Sequence, residues 1–179
     1  ITIPSINGTA GSIVDIAVTI ENNPGILGAT LTFEFDEGLT LLEATNGSAF
    51  SALTMTKPGR LESPCNFVWD GQELSDGDIL DGTILTLQFK LPDDAQAGTK
   101  YNITASYDDG GIINNYLNPV SPAITNGGIE VLDFTYGDLN EDAKINTTDV
   151  ILLRRHIAGR YDQIINEKAA DVNVDTKIN

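Results

Sequence analysis

The sequence predicts a mainly β protein: an antiparallel sandwich or jelly roll of about eight or nine short strands, followed by a small loop-and-helix segment. Apolar and polar residues alternate in four stretches, 14–20, 29–36, 85–91 and 101–107. An alternation with a period of two places one face of a strand in the core and the other in water. Turn-forming pairs such as Asn-Gly and Pro-Gly separate the predicted strands, and no helical periodicity interrupts them.

The individual strands follow from these patterns in chain order. We expect them at 1–6, 14–20, 29–36, 39–44, 66–70, 85–91, 101–107 and 129–134. Trp69 shares a face with Phe67, so we expect the indole in the core and not as a platform for a sugar ring.

The charge divides the chain into two parts. The 179 residues include 10 basic and 26 acidic side chains, for a net charge of −16. Residues 1–136 hold 18 acids and 4 bases (net −14), and residues 137–179 hold 8 acids and 6 bases (net −2). This balance argues against binding to nucleic acid or anionic lipid. The chain opens at Ile1 without a basic-then-apolar leader, so we expect any export signal to be absent or already removed.

The long acidic part carries no recognisable catalytic constellation. It contains no histidine, which excludes Ser-His and Cys-His pairs within it. Its carboxylates fall mostly on outer strand faces or in turns, so we expect no enzyme. Asp76, Asp78 and Asp81 can gather a cation, but their spacing favours a solvated acidic turn. Cys65 is the single cysteine, so no intrachain disulfide can form.

The tail contains a calcium-loop pattern. From residue 138, oxygen donors occur at positions 1, 3, 5, 7, 9 and 12 of a 12-residue loop, with position 7 acting through its backbone carbonyl and position 9 through water. The predicted ligands are Asp138, Asn140, Asp142, Lys144, Asn146 and Asp149.

A partial copy of this loop follows 33 residues later. Its predicted ligands are Asp171, Asn173, Asp175, Lys177 and Asn179. Two runs in the same register make chance repetition improbable. Ala143 and Thr176 stand at position 6, where a glycine with positive φ is expected. We therefore expect a lowered calcium affinity with every ligand still present.

Two helices are predicted around these loops. Residues 149–158 have helical spacing, with Val150, Leu153 and Ile157 on one face, and Gly159 is a stop signal. A second helix is expected at 162–169, with Ile164, Ile165 and Ala169 as candidate buried positions. A loop followed by a helix is half of an EF-hand.

Residues 137–179 resemble a dockerin, the calcium-binding docking module of cellulosomal proteins. The resemblance rests on Gly-Asp-x-Asn-x-Asp, Ile-Asn-Thr-Thr-Asp, Leu-Arg-Arg and the start of the second copy, Ala-Asp-Val-Asn-x-Asp. It implies that the module binds a cohesin, with Thr147, Thr148, Arg154 and Arg155 contacting the partner. Only the first repeat is complete in this sequence.

Residues 1–134 resemble a cohesin, a nine-stranded jelly roll that receives dockerins. The stretches at 28–36, 67–70 and 82–90 support this resemblance. Where many cohesins have an Asn-x-Asp pair on the strand that meets the dockerin, this chain has Gly28 and Thr30. The linker is 135–136, and its shortness predicts that the two modules pack together through Phe134 or Tyr136.

Three functions are consistent with these resemblances. The chain can be a secreted or cell-surface adaptor of a complex that degrades plant cell-wall polysaccharide, whose sandwich receives dockerin-bearing enzymes or scaffoldins and whose dockerin binds a cohesin. The sandwich can instead be a spacer, similar to an X-module, that supports the dockerin. It can also be a carbohydrate-binding module, for which a flat row of exposed aromatic residues would be the signature.

Overall fold

The computed structural model describes residues 1–142, 144–160 and 165–178. It divides into two compact units, Ile1–Val131 and Leu132–Asn179. The first unit is a β-sandwich and the second is a small unit of loops and short helices.

The sandwich contains ten strands. They are β1 (Ser5–Thr9), β2 (Ile13–Ile20), β3 (Ile26–Phe35), β4 (Thr40–Asn46), β5 (Thr54–Thr56), β6 (Cys65–Asp70), β7 (Gly82–Lys90), β8 (Lys100–Ser106), β9 (Ile112–Asn114) and β10 (Gly127–Leu132). One sheet has the order β1-β10-β8-β3-β6-β5, with β9 pairing to β3, and the other has the order β2-β7-β4. The predicted sandwich is confirmed.

Three details differ from the sequence prediction. The first strand begins at Ser5, and Thr2 forms only isolated bridges with Thr19 and Thr125. Strands β5 and β9 are not among the predicted strands, because three residues are too few to show an alternating period.

The core lies between the inward faces of the two sheets. Trp69 is 1% exposed, and its ring meets Phe50 edge to face at 5.6 Å between centroids. Its Nε1–H donates to Asn46 Oδ1 at 2.8 Å. A buried indole needs such a partner, and the prediction that Trp69 is a core residue is confirmed.

Strand β10 can approach β8 closely because its first residues lack side chains. A Cβ at Gly128 would lie 2.1 Å from the carbonyl oxygen of Tyr101, and backbone cannot yield as a flexible side chain does. We expect Gly128→Ala to lower the free energy of unfolding by about 3 kcal/mol in urea denaturation. Gly59→Ala is the matched control, because no heavy atom lies within 4 Å of a Cβ there. Equal stability of the two variants would refute this packing.

The second unit has a small core of its own. Helix α1 spans Thr147–Ile157 and α2 spans Glu167–Ala170. The buried residues of this core are Leu139, Leu152 and Ala170, with Leu153, Ile165 and Ile178 packed against them.

The helix predictions are partly confirmed. Helix α1 begins two residues before the predicted position and ends before Gly159, which has φ +72°. It buries Leu152, while Val150 and Ile157 are about half exposed. The second predicted helix begins at residue 162, and Ile164 belongs to it; both lie outside the described residues. Ala169 is buried as expected. Among the described helices, none is long and apolar enough to cross a membrane.

Candidate functional site

The first loop folds around its own acidic side chains. The Asp142 N–H donates to Asp138 Oδ1 at 3.2 Å, and the Lys144 N–H donates to Asp142 Oδ1 at 2.9 Å. Asn140 Nδ2 donates to Asp142 Oδ2 at 2.9 Å. These bonds bring the predicted ligands at positions 1, 3 and 5 into one turn.

The second loop repeats these contacts. The Asp175 N–H donates to Asp171 Oδ1 at 3.1 Å, and the Lys177 N–H donates to Asp175 Oδ1 at 2.9 Å. Asn173 Nδ2 donates to Asp175 Oδ2 at 3.1 Å. The sequence repeat with its 33-residue offset is therefore also a repeat of local structure.

The backbone at position 6 has the expected conformation in the second loop. Thr176 has φ +67°, a left-handed conformation that costs a residue with a Cβ about 1–2 kcal/mol. Its N–H donates to Asp171 Oδ2 at 2.8 Å, which offsets part of that cost. Ala143, at the same position of the first loop, lies outside the described residues.

Two carboxylates of the first loop are buried. Asp138 is 5% exposed and Asp149 is 3% exposed. The Asn146 N–H donates to Asp149 at 2.8 Å and holds the pKa of that carboxyl below its usual range. Burial acts in the opposite direction and raises the pKa. The Leu139 N–H, which donates to Asp149 at 2.9 Å, lowers the pKa further. Asp149 thus stays ionised at neutral pH, and buried carboxylates are stable only with such partners or with a cation.

The donor set fits a hard cation. Half of the six predicted ligands of the first loop are carboxylates, and the rest are amide or backbone oxygens, the donor types that calcium takes. In the part of the chain that the structure describes, no three His, Cys, Asp or Glu side chains converge as a metal cluster. Asn146 Oδ1 accepts the Thr148 N–H at 2.8 Å and so caps α1. Asn179 lies outside the described residues.

Helix α1 presents an exposed face. The four predicted partner-binding residues, Thr147, Thr148, Arg154 and Arg155, are all exposed.

Apolar side chains lie on the same helix. Val150, Ile151 and Ile157 are each about half exposed. Helical spacing places Thr147, Ile151 and Arg154 on one side, at i, i+4 and i+7. A helix face that mixes aliphatic and basic side chains is suited to contact a partner surface.

An aromatic pair lines a groove within the second unit. Phe134 and Tyr136 meet edge to face at 5.1 Å between ring centroids. Together with Val174 and Ile178 they border a cavity of about 320 Å³. The expectation that this pair contacts the sandwich stays a prediction.

An apolar side chain covers part of the outward face of β3. Gly28 and Thr30 point away from the core, since Ala29 and Leu31 are buried. A Cβ at Gly28 would lie 3.3 Å from Ile113 Cγ1, so the Ile113 side chain covers this glycine.

The loop at residues 114–118, here called the β9 loop, displays two large apolar side chains. Tyr116 is 81% exposed and Leu117 is 69% exposed. Leu117 has φ +60°, an unfavourable backbone conformation for leucine. These two residues are not among the predicted functional residues. The turn-forming pairs Asn114-Asn115 and Asn118-Pro119 on either side of them indicate an exposed loop.

Hydrogen bonds hold the β9 loop in place. Asn114 Oδ1 accepts the N–H groups of Tyr116 and Asn118, both at 3.0 Å. Asn115 Nδ2 donates to the Leu74 carbonyl at 3.1 Å, and the Leu74 N–H donates back to Asn115 Oδ1 at 3.3 Å. The exposed side chains are therefore mounted on a fixed loop.

The acidic segment at residues 70–81 lies beside this loop. It carries five acids and no base. The Ser75 side chain and N–H hold the pKa of Asp78 below its usual range, and the Asn23 N–H, donating at 2.8 Å, does the same for Asp81. These bonds support the acidic-turn interpretation over the cation interpretation.

Comparisons with protein families give two matches along the chain. A family model described as "Cohesin domain" matches residues 1–131, and a model described as "Dockerin type I domain" matches residues 136–179. No enzymatic domain is found. A comparison with curated proteins gives no match.

Solved structures share the sandwich fold. The third cohesin of ScaC from Acetivibrio cellulolyticus, in complex with the ScaB dockerin, is 25% identical with a TM-score of 0.61; the match covers 73% of this chain and 96% of that one. A type III cohesin module from the cell-surface anchoring scaffoldin ScaE of Ruminococcus flavefaciens is 20% identical with a TM-score of 0.62, covering 74% and 86%. A non-cellulosomal cohesin from Archaeoglobus fulgidus is 17% identical with a TM-score of 0.57, covering 74% and 89%.

Proposed function

The chain belongs to the cohesin family and carries a dockerin type I domain after its sandwich, and we propose that it is a non-catalytic adaptor of an extracellular or cell-surface cellulosome-type complex. Its sandwich receives a dockerin from an enzyme or scaffoldin, and its own dockerin binds a cohesin. The single observation that carries the proposal is the presence of both halves of a known docking pair in one chain. Degradation of plant cell-wall polysaccharide is the process that such complexes serve.

The β9 loop supports the receiving role of the sandwich. Exposing two large apolar side chains on a hydrogen-bonded loop costs solubility and, at Leu117, backbone strain. A binding surface gives that cost a purpose, because rigid aromatic and aliphatic anchors dominate interface energies. We assign the contact to Tyr116 and Leu117 together with the Ile113 side chain over Gly28.

The dockerin is proposed to require calcium. In the first loop Asp138, Asn140, Asp142 and Asp149 would bind the ion with the Lys144 carbonyl, and Asn146 would act through water. In the second loop Asp171, Asn173, Asp175, Lys177 and Asn179 would do so more weakly. The ion supplies positive charge that draws the loop's carboxylates together.

With the loop drawn together, α1 has a fixed start for presenting its partner face. Thr147 and Thr148 at its beginning, Ile151 in the middle and Arg154 and Arg155 near its end form the proposed cohesin contact. Calcium touches none of these side chains, so it acts on binding through the position of the helix.

A carbohydrate-binding role has little support. Trp69 is buried, and Tyr116 is the one strongly exposed aromatic residue among those the structure describes. A single exposed ring does not form the flat row that binds a polysaccharide chain.

The test is a binding assay with the full chain immobilised in calcium. One panel contains dockerin-bearing proteins and the other contains cohesins. We expect the chain to capture at least one member of each panel, and we expect a chelator to abolish the capture of cohesins. Capture of cohesins alone would favour the spacer role, and capture from neither panel would overturn the proposal.

Two variants serve as controls for each other. Tyr116→Ser/Leu117→Gly should lose dockerins and keep cohesins, whereas Ile151→Asp should lose cohesins and keep dockerins. Each variant shows that the other has not simply unfolded the chain.

A further inference from the structure

We propose that α1 of one copy of this chain docks on the β9 loop of a second copy, so that the protein associates head to tail. This inference rests on the proposed function and names a partner for both of its surfaces. The β9 loop in the first unit and α1 in the second each expose large apolar side chains, and a single contact between copies covers both.

The apolar parts of the two surfaces match in kind. The β9 loop offers Tyr116 and Leu117, and the neighbouring strand β9 adds Ile113 over Gly28. Helix α1 offers Val150 and Ile151 on its exposed side. An aromatic and aliphatic knob on a fixed loop packs well against aliphatic side chains on a helix, because neither side loses much conformational entropy on binding.

The charges of the two surfaces are opposite. The acidic segment at 70–81 has five acids and no base, while residues 144–160 have four bases and one acid. The Asn115–Leu74 hydrogen bonds attach the acidic segment directly to the β9 loop. Arg154 lies one helical turn beyond Ile151, so apolar and charged contacts can form together. Opposite charges raise the association rate and penalise other pairings, such as loop to loop.

The way in which copies of the chain assemble depends on the symmetry of this contact. The two surfaces are different, so the interface is heterologous, and each copy that donates its helix keeps a free β9 loop. A heterologous contact that does not close into a ring grows into an open chain. We therefore expect association that increases with concentration, since each added copy brings both surfaces.

The first measurement is sedimentation velocity of the full chain in calcium, from about 1 μM to about 200 μM, the range in which a micromolar contact fills. We expect the weight-average sedimentation coefficient to rise with concentration, and to fall again in high salt, which screens the exposed charges. A single species of one chain, 19.2 kDa, at every concentration would overturn the inference.

The second measurement mixes two variants. Tyr116→Ser/Leu117→Gly lacks the knob but keeps its helix, and Ile151→Asp lacks the helix contact but keeps its knob. Each alone should sediment as a monomer. An equal mixture should form a heterodimer and nothing larger, because only one productive pair of surfaces remains. A mixture that sediments as the sum of its parts would contradict head-to-tail pairing.

These results separate the inference from the proposed function. If the chain stays monomeric yet captures dockerins and cohesins from the panels, self-association is wrong and the adaptor role stands. If the chain self-associates but captures nothing from the panels, the pairing stands and the adaptor role is wrong.

Discussion

Replacing Asp149 with asparagine should abolish calcium binding by the first loop and unfold the second unit, while the sandwich melts as in the unchanged chain. Asp149 is the last predicted ligand, a position that supplies two oxygens in a 12-residue loop. Its carboxylate is buried and accepts the N–H groups of Leu139 and Asn146. In asparagine one of the two carboxylate oxygens is replaced by an amide NH2 group. This group is a donor and would face a backbone N–H group that has lost its acceptor.

The size of the effect follows from linkage between binding and folding. An ion present at 100 times its Kd stabilises the folded state by about 2.7 kcal/mol. The core of the second unit consists of a few aliphatic side chains, and units of this size depend on such added stability. We expect the calcium affinity of the first loop to fall at least about 100-fold, which leaves no more than about 0.4 kcal/mol of that stabilisation.

The measurement combines calcium titration calorimetry with thermal unfolding followed by NMR signals of each unit. Asp175→Asn is the matched control in the second loop, and we expect it to alter the weaker site alone. Asp133→Asn replaces an exposed acid outside both loops and should change nothing. An Asp149→Asn chain whose second unit melts in calcium like the unchanged protein would show that the loop assignment is wrong.

The sequence predicts the features that depend on a regular spacing of residues along the chain. The alternating period of two predicts β2, β3, β7 and β8, and shorter runs predict four more of the ten strands. The calcium-type loop is also predictable, because its donors are spaced along one short segment and the spacing occurs twice. The same hydrogen bonds in both loops agree with that interpretation.

The sequence could not predict features that depend on packing between residues far apart in the chain. Leu152 is the buried apolar residue of α1, because it is the side chain of the helix that packs in one cluster with Leu139 and Ala170. The β9 loop is invisible to periodicity, since a three-residue strand precedes it. Two of its hydrogen bonds are made with Leu74, which is 41 residues away from Asn115 in the chain.

Leu117→Gly should weaken dockerin binding by about 100-fold without destabilising the sandwich. Glycine removes the cost of about 1–2 kcal/mol that a left-handed backbone imposes on leucine. Glycine also gives the unfolded chain greater conformational freedom, which lowers the free energy of unfolding by about 0.4–1 kcal/mol. The free energy of unfolding should therefore stay level or rise by up to about 1.5 kcal/mol. Binding loses an anchor, and an interface anchor contributes about 2–4 kcal/mol.

This variant is informative because the dockerin affinity is expected to fall while the free energy of unfolding is not. A residue kept for stability would, when replaced, lower both quantities together, whereas a strained residue kept for binding lowers only the affinity. Gly110→Ala is the control for strain alone: its φ is +75° and no heavy atom lies within 4 Å of an added Cβ. It should lose about 1 kcal/mol of stability and bind dockerin normally. Urea denaturation and surface plasmon resonance measure the two quantities on the same samples. If Leu117→Gly binds dockerin as tightly as the unchanged chain, the strain at this position does not serve recognition, and the docking surface must lie elsewhere on the sandwich.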